Sequence, residues 1–85
     1  MRVIDNPALS RFELAIDGQT AFLSYERTRD SLRLIHTEVP EAWRGRGFGE
    51  TLVKGAFEAA RAEGVRVVAV CPFVRAYLEK HPESR

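Results

Sequence analysis

The chain has one cysteine, one tryptophan and one methionine, and its charges nearly cancel. A lone cysteine excludes an intrachain disulfide and fits a reducing, cytoplasmic setting. No apolar run approaches the ~20 residues of a membrane span, and the N-terminus lacks the apolar core of a signal peptide. Thirteen basic against twelve acidic residues leave a formal net charge of +1, which argues against a dedicated nucleic-acid binder, whose basic patch supplies most of its affinity. Linkers, repeats and low-complexity segments are also missing. What remains is one domain over residues 1–85, with its core between about 12 and 82, in a size range where folding buries somewhat more than ~60% of the unfolded surface. A hydrophobic content of 45% is ordinary for such a protein.

Periodicity predicts three strands, a helix, a strand and a helix. Phe12, Leu14 and Ile16 alternate up to Asp17-Gly18, a pair that favours a tight hairpin turn, and Ala21, Leu23 and Tyr25 alternate in the returning strand. After Thr28-Arg29-Asp30, Ser31 to Val39 form a third strand, whose pattern slips at Leu34-Ile35 and predicts a bulge. From Gly47 to Glu63, Phe48, Leu52, Val53, Ala56, Phe57 and Ala60 recur at helical spacing, and Gly64 closes the helix. Val65 to Val70 read as a strand buried on both faces. Pro72 suits the first position of a second helix, with Phe73, Val74, Tyr77 and Leu78 on its buried side, ending near His81 before Pro82. Residues Met1 to Ala8 and Glu83 to Arg85 are expected to be loose.

The richest segment is Val39-Pro40-Glu41-Ala42-Trp43-Arg44-Gly45-Arg46-Gly47-Phe48-Gly49, where an apolar strand enters a basic glycine-rich loop that opens straight into the first helix. Backbone N–H groups at a helix start lack intrahelical partners, and the helix dipole adds partial positive charge, so such a junction accepts anions. Glycines remove the Cβ atoms that would hold a pyrophosphate away, and Arg44 and Arg46 add planar donors. A P-loop would need Lys then Ser or Thr after the last glycine, where Glu50-Thr51 stand. A dinucleotide fingerprint would need a different glycine offset and a parallel βαβ unit. A flexible Arg/Gly loop with general affinity for polyanions is the competing interpretation.

The RGRGFG loop, the preceding His36-Thr37-Glu38-Val39-Pro40, the later Cys71-Pro72-Phe73 and the closing His81-Pro82 resemble the small stand-alone N-acetyltransferases of the GNAT superfamily, of the YjdJ type. The resemblance runs from about Phe12 to Pro82. It implies a minimal α+β fold, β-β-β-α-β-α, with a mostly antiparallel sheet and one parallel strand pair splayed for coenzyme A. It also implies acetyl transfer from acetyl-CoA to an amine, on a small molecule or a protein. The main chain of Glu38 and Val39 would meet the pantetheine, with Arg44, Gly45, Arg46, Gly47, Phe48 and Gly49 around the pyrophosphate and Cys71 near the acetyl group. No metal, nucleic acid or membrane is called for.

Four side chains are candidates for the chemistry. Cys71, as the residue capping the second helix, would have its thiol beside a positive helix end, which favours thiolate. It would then serve as a transient acetyl carrier or a proton donor, or simply as a small buried apolar residue. His36 suits a general base and Glu38, on the same strand face, a partner that relays its proton; a structural histidine and a solvated glutamate are the alternatives. Tyr77 matches the tyrosine by which the family commonly protonates the departing CoA thiolate, and core packing explains it nearly as well. Trp43 is expected to anchor the loop, and His81 with Lys80 to complement a helix C-terminus.

The chain departs from ordinary GNAT domains in lacking the helical pair after the first strand and the strands after the last helix, parts that build much of the acceptor site. The acceptor pocket would then be open, completed by a second subunit, or supplied by a protein substrate. An acyl-CoA-binding interaction module with weak catalysis is the alternative function, and the chain is expected to be a monomer or a homodimer.

Overall fold

A computed structural model of the chain describes residues 2–82. Five strands form one sheet in the order β1 (Ile4–Asn6), β2 (Arg11–Ile16), β3 (Gln19–Arg27), β4 (Ser31–Glu38) and β5 (Arg66–Ala69). The first four pair antiparallel in sequence order, and β4 pairs with β5 in parallel. Helices α1 (Phe48–Glu63) and α2 (Pro72–Lys80) pack together against the sheet. This is the mixed α+β sheet with a single parallel pair that the sequence predicts, with one strand more.

Asp17 and Gly18, both at positive φ, join β2 to β3 with Ile16 paired to Gln19, the left-handed geometry that favours Asp-Gly at a two-residue hairpin. The inward residues Phe12, Leu14, Ala21, Leu23, Tyr25, Leu32 and Leu34 meet Leu52, Val53, Ala56, Phe57 and Ala60 of α1 and Val74 of α2 in one buried cluster. Gly64, at φ 73°, returns its N–H to Ala60 and Arg61 and ends α1.

Two expectations fail in instructive ways. The segment from Met1 to Ala8 was expected to be loose, yet Ile4–Asn6 form β1 and Pro7–Leu9 a 3-10 turn. Met1 and Glu83 to Arg85 lie outside the described residues. Polar bonds rather than apolar alternation hold β1: the Tyr25 hydroxyl donates to Asp5 at 2.6 Å, Asn6 donates to Glu13 at 3.1 Å, and Arg27 bridges Asp5 to Glu63 of α1. The second failure is β5, which is an edge strand rather than one buried on both faces. Arg66 is exposed, Val67, Val68 and Ala69 are half-buried, and Val70 is 36% exposed. Its valine run reflects strand propensity and one covered face, which periodicity alone does not separate from full burial.

Because Tyr25 is almost fully buried and its hydroxyl meets a carboxylate, Tyr25→Phe is expected to destabilise the fold by about 1–2 kcal/mol. Urea unfolding should register this as a lower midpoint at constant slope, with amide exchange fastest in β1.

Candidate functional site

The parallel ladder is short. Ser31, Leu32, Arg33 and Leu34 pair with Arg66, Val67, Val68 and Ala69, and there the pairing ends. The N–H groups of Val70 and Cys71 both terminate on the Leu34 carbonyl, at 3.0 and 2.9 Å. Beyond it β4 continues to Glu38, while the segment after β5 turns at Pro72 into α2. The strands therefore diverge. The edge of β4 from Ile35 onward is left beside a groove of about 630 Å³, lined among others by Thr37, Val39, Trp43, Gly47, Phe48 and Phe73.

The divergence coincides with the predicted bulge. Ser24 pairs with His36 and Tyr25 with Leu34, so Ile35 is the unmatched residue. The extra residue inverts the alternation. Thr37 consequently pairs with the buried Leu23 on the helix side, whereas His36, with Glu38, shares the helix-free face with Phe22, whose ring it meets edge-on at 6.3 Å. His36 Nε2 lies 3.8 Å from Glu38 Oε1, and their side chains are 60% and 61% exposed. His36 is thus a solvent-facing side chain and not part of the core.

At the outer end of the groove, Glu41–Trp43 form a 3-10 turn that buries Trp43, whose ring packs edge-on to Phe48 at 5.7 Å. Trp43 thus anchors the loop, as expected, and also forms part of the groove wall. Gly45 and Gly47 stand at φ 81° and 82°, left-handed values that L side chains resist. Gly47 is the N-cap of α1, so no side-chain hydrogen bond caps the helix and its first N–H groups have no intrahelical partner. Arg44 lines the groove; Arg46 projects from the exposed loop. Gly49 serves a close approach instead: a Cβ there would lie 2.8 Å from Phe73 Cζ. Phe73, expected on the buried side of α2, is 41% exposed and leans across the groove onto α1.

Cys71 is the N-cap of α2, 4% exposed, and sits one side chain behind the groove wall with its sulfur 3.6 Å from the Thr37 hydroxyl. Its sulfur faces the N–H groups of the helix's first turn without closing a full capping hydrogen bond to them. Burial raises the thiol pKa, but the N–H of Val74, the Thr37 hydroxyl and the N–H groups of Phe73 and Thr37 together outweigh it, and the thiol ends below its ordinary value. Tyr77 is not brought to the groove. It is buried between the helices, stacked on Phe57 at 6.1 Å and 4.5 Å from the ring of His81. Thr37, Phe73, Glu50 and Lys80 all line the groove and were missed as site residues. Of these, Thr37 was legible, since the bulge that turns His36 outward turns Thr37 inward.

Among the described residues, no group of three or more His, Cys, Asp or Glu is placed to hold a metal, and no helix is long and apolar enough to cross a membrane. A parallel pair that splays beside an uncapped helix start, reached through an Arg/Gly loop, has the architecture of an N-acetyltransferase fold. The solution structure of a GCN5-like candidate N-acetyltransferase from Staphylococcus aureus superposes with a TM-score of 0.73 at 26% identity, covering 98% of this chain and 82% of that one. Protein NATD1 of Xenopus tropicalis is 31% identical over 96% of this chain and 78% of its own length, and that of Mus musculus is 31% identical over 96% and 77%. The sequence profile of the GCN5-related N-acetyl-transferase family matches residues 11–85, and the chain belongs to that family.

The thiolate of Cys71 is expected to form at lower pH than that of an ordinary cysteine, followed by ultraviolet absorbance. Thr37→Val should move the midpoint upward, and an unmoved midpoint would remove the hydroxyl from this account. With the folded pKa below the unfolded one, the thiolate's contribution to stability is present above the unfolded value and lost as pH falls through the folded one. The stability advantage over Cys71→Ala should therefore widen on the alkaline side.

Proposed function

We propose that the chain is an acetyl-CoA-dependent N-acetyltransferase. The observation that carries this is the arrest of the parallel ladder at the Leu34 carbonyl, which leaves the edge of β4 unpaired along a groove ending at the uncapped start of α1. The pantetheine arm would bond to the main chain of Glu38 and Val39 like an added strand. The pyrophosphate would lie against the N–H groups from Gly47 onward, with Arg44 as counter-charge and Arg46 supplying long-range attraction.

The acceptor amine would approach from the helix-free face. His36, paired with Glu38, takes the proton as the amine nitrogen bonds to the thioester carbonyl carbon. The carbon–sulfur bond then breaks, and the CoA thiolate takes a proton from Cys71 relayed by the Thr37 hydroxyl. The chemistry is thus divided across β4, with base on one face and acid on the other. Direct transfer is favoured over an acetyl-cysteine because the sulfur lies behind Thr37. Among the described residues no further strand or helix covers the face from which the acceptor would come, which suits an amine carried on a protein or other large molecule.

A second reading is an acyl-CoA-binding interaction module with weak catalysis. It is favoured by the burial of both Cys71 and Tyr77 away from the groove surface. Calorimetric titration with acetyl-CoA at physiological salt tests the shared part: saturation at one ligand per chain is expected. Salt-sensitive binding to nucleic acid with no preference for CoA would replace both readings by a general polyanion loop. Gly47→Ala, which forces an L side chain to a left-handed φ, should cost about 1–2 kcal/mol of stability or ligand affinity. Acetylation of amine-bearing peptides separates enzyme from module: Cys71→Ala should lower turnover while leaving acetyl-CoA affinity unchanged, and tight binding with no turnover on any amine would favour the module.

A further inference from the structure

We propose that Lys80 binds the 3′-phosphate of coenzyme A and that Glu50 competes with that phosphate for the lysine. The inference rests on the acetyl-CoA reading above and adds a donor-specificity residue to it. Among the described residues, two permanently cationic side chains line the groove, Arg44 in the loop and Lys80 at the last position of α2. They belong to different walls. Arg44 precedes α1 and its open N–H groups, where a pyrophosphate is accommodated by backbone and guanidinium together. Coenzyme A carries a second anionic group, a phosphate monoester on its ribose, with a charge of about −1.5 to −2 near neutrality. The groove is bounded on one side by Glu50 in the first turn of α1 and Lys80 at the end of α2, so an adenosine extending from the loop along that side would carry its monoester toward the lysine. Lys80 supplies the positive charge on the α2 side.

Lys80 Nζ stands 3.8 Å from Glu50 Oε2, with the side chains 70% and 43% exposed. An exposed pair at that distance is weak and readily exchanged for a stronger anion. Glu50 occupies the third position of α1, so its carboxylate shares the positive helix start that the ligand phosphates would use. The pair thus links the two helices across the groove. On binding, Lys80 turns from the carboxylate to the monoester, and Glu50 is left as a like-charged neighbour that moderates affinity.

The test compares coenzyme A with 3′-dephospho-coenzyme A by titration calorimetry at fixed ionic strength, on the wild-type chain and on Lys80→Gln, Lys80→Arg and Glu50→Gln. Both positions are solvent-facing, and thermal unfolding checks that each variant folds. The wild type should prefer coenzyme A about tenfold, the worth of one charge-assisted contact. Lys80→Gln should abolish that preference while changing dephospho-coenzyme A affinity less than about twofold, since a rim charge acts on the group it faces. Lys80→Arg should keep the preference, and Glu50→Gln should strengthen binding of coenzyme A more than that of the dephospho form. Equal weakening of both ligands by Lys80→Gln, or no effect on either, overturns the assignment. Failure of the wild type to bind either ligand defeats the acetyl-CoA reading itself, whereas tight binding without discrimination defeats this inference alone.

Discussion

Parallel pairing between β4 and β5 ends on the Leu34 carbonyl, which accepts the N–H groups of both Val70 and Cys71. One oxygen receiving two consecutive donors completes the hydrogen bonding of β5 at its last turn and leaves the following edge of β4 to other partners. Pro72 then has no N–H to continue the ladder and fits the first position of α2, so the divergence is written into the chain just where the ladder stops. On the opposite edge of β4, the unmatched Ile35 comes at the same place. Termination on one side and a bulge on the other act together. The bulge fixes which residues face the helices and which face solvent, and the divergence opens the space beside them.

Both helices begin at this opening, and neither start is closed by a side-chain hydrogen bond. The uncapped N–H groups of α1 follow a glycine, while those of α2 surround a buried sulfur. The same property, partial positive charge at a helix start, thus has two uses. One helix start would serve as an anion site in solvent, and the other lowers the pKa of a thiol inside the protein. The difference comes from the N-cap residue: glycine leaves the end open, and cysteine fills it with an ionisable atom.

How far the sequence revealed this depends on whether each signal is local. Asp17-Gly18, the slip at Leu34-Ile35, the glycine loop and Pro72 each carry their geometry within a few residues, and each appears where periodicity and turn chemistry put it. β1 was hidden because its partners are distant: Asp5 is held by Tyr25 and Arg27, and Arg27 in turn by Glu63. Nothing in Ile4–Asn6 alone announces a strand. Phe73 was misread because helical periodicity assigns a large apolar residue to the core, yet here Gly49 provides a bare patch of α1 on which the ring rests at the groove. Tyr77 shows the converse, a residue named for chemistry by resemblance whose ring is taken up by stacking on Phe57. Lys80 and Glu50, thirty positions apart, meet only because α2 lies beside the start of α1.

In so small a domain the site and the core draw on the same residues. Thr37 is at once a groove wall, the partner of Leu23 and the contact of Cys71; Cys71 is both a core residue and the start of α2. A change at either position therefore alters packing and chemistry together, and activity alone does not separate the two effects. The polar network around Tyr25 and Arg27 ties β1 to the sheet and, through Glu63, to the far end of α1, away from the loop. Stability gathered there does not constrain the loop, where left-handed glycines and an uncapped helix start would otherwise be liabilities. The fold can tolerate those weak points because its fastening lies at the opposite end of the same helix.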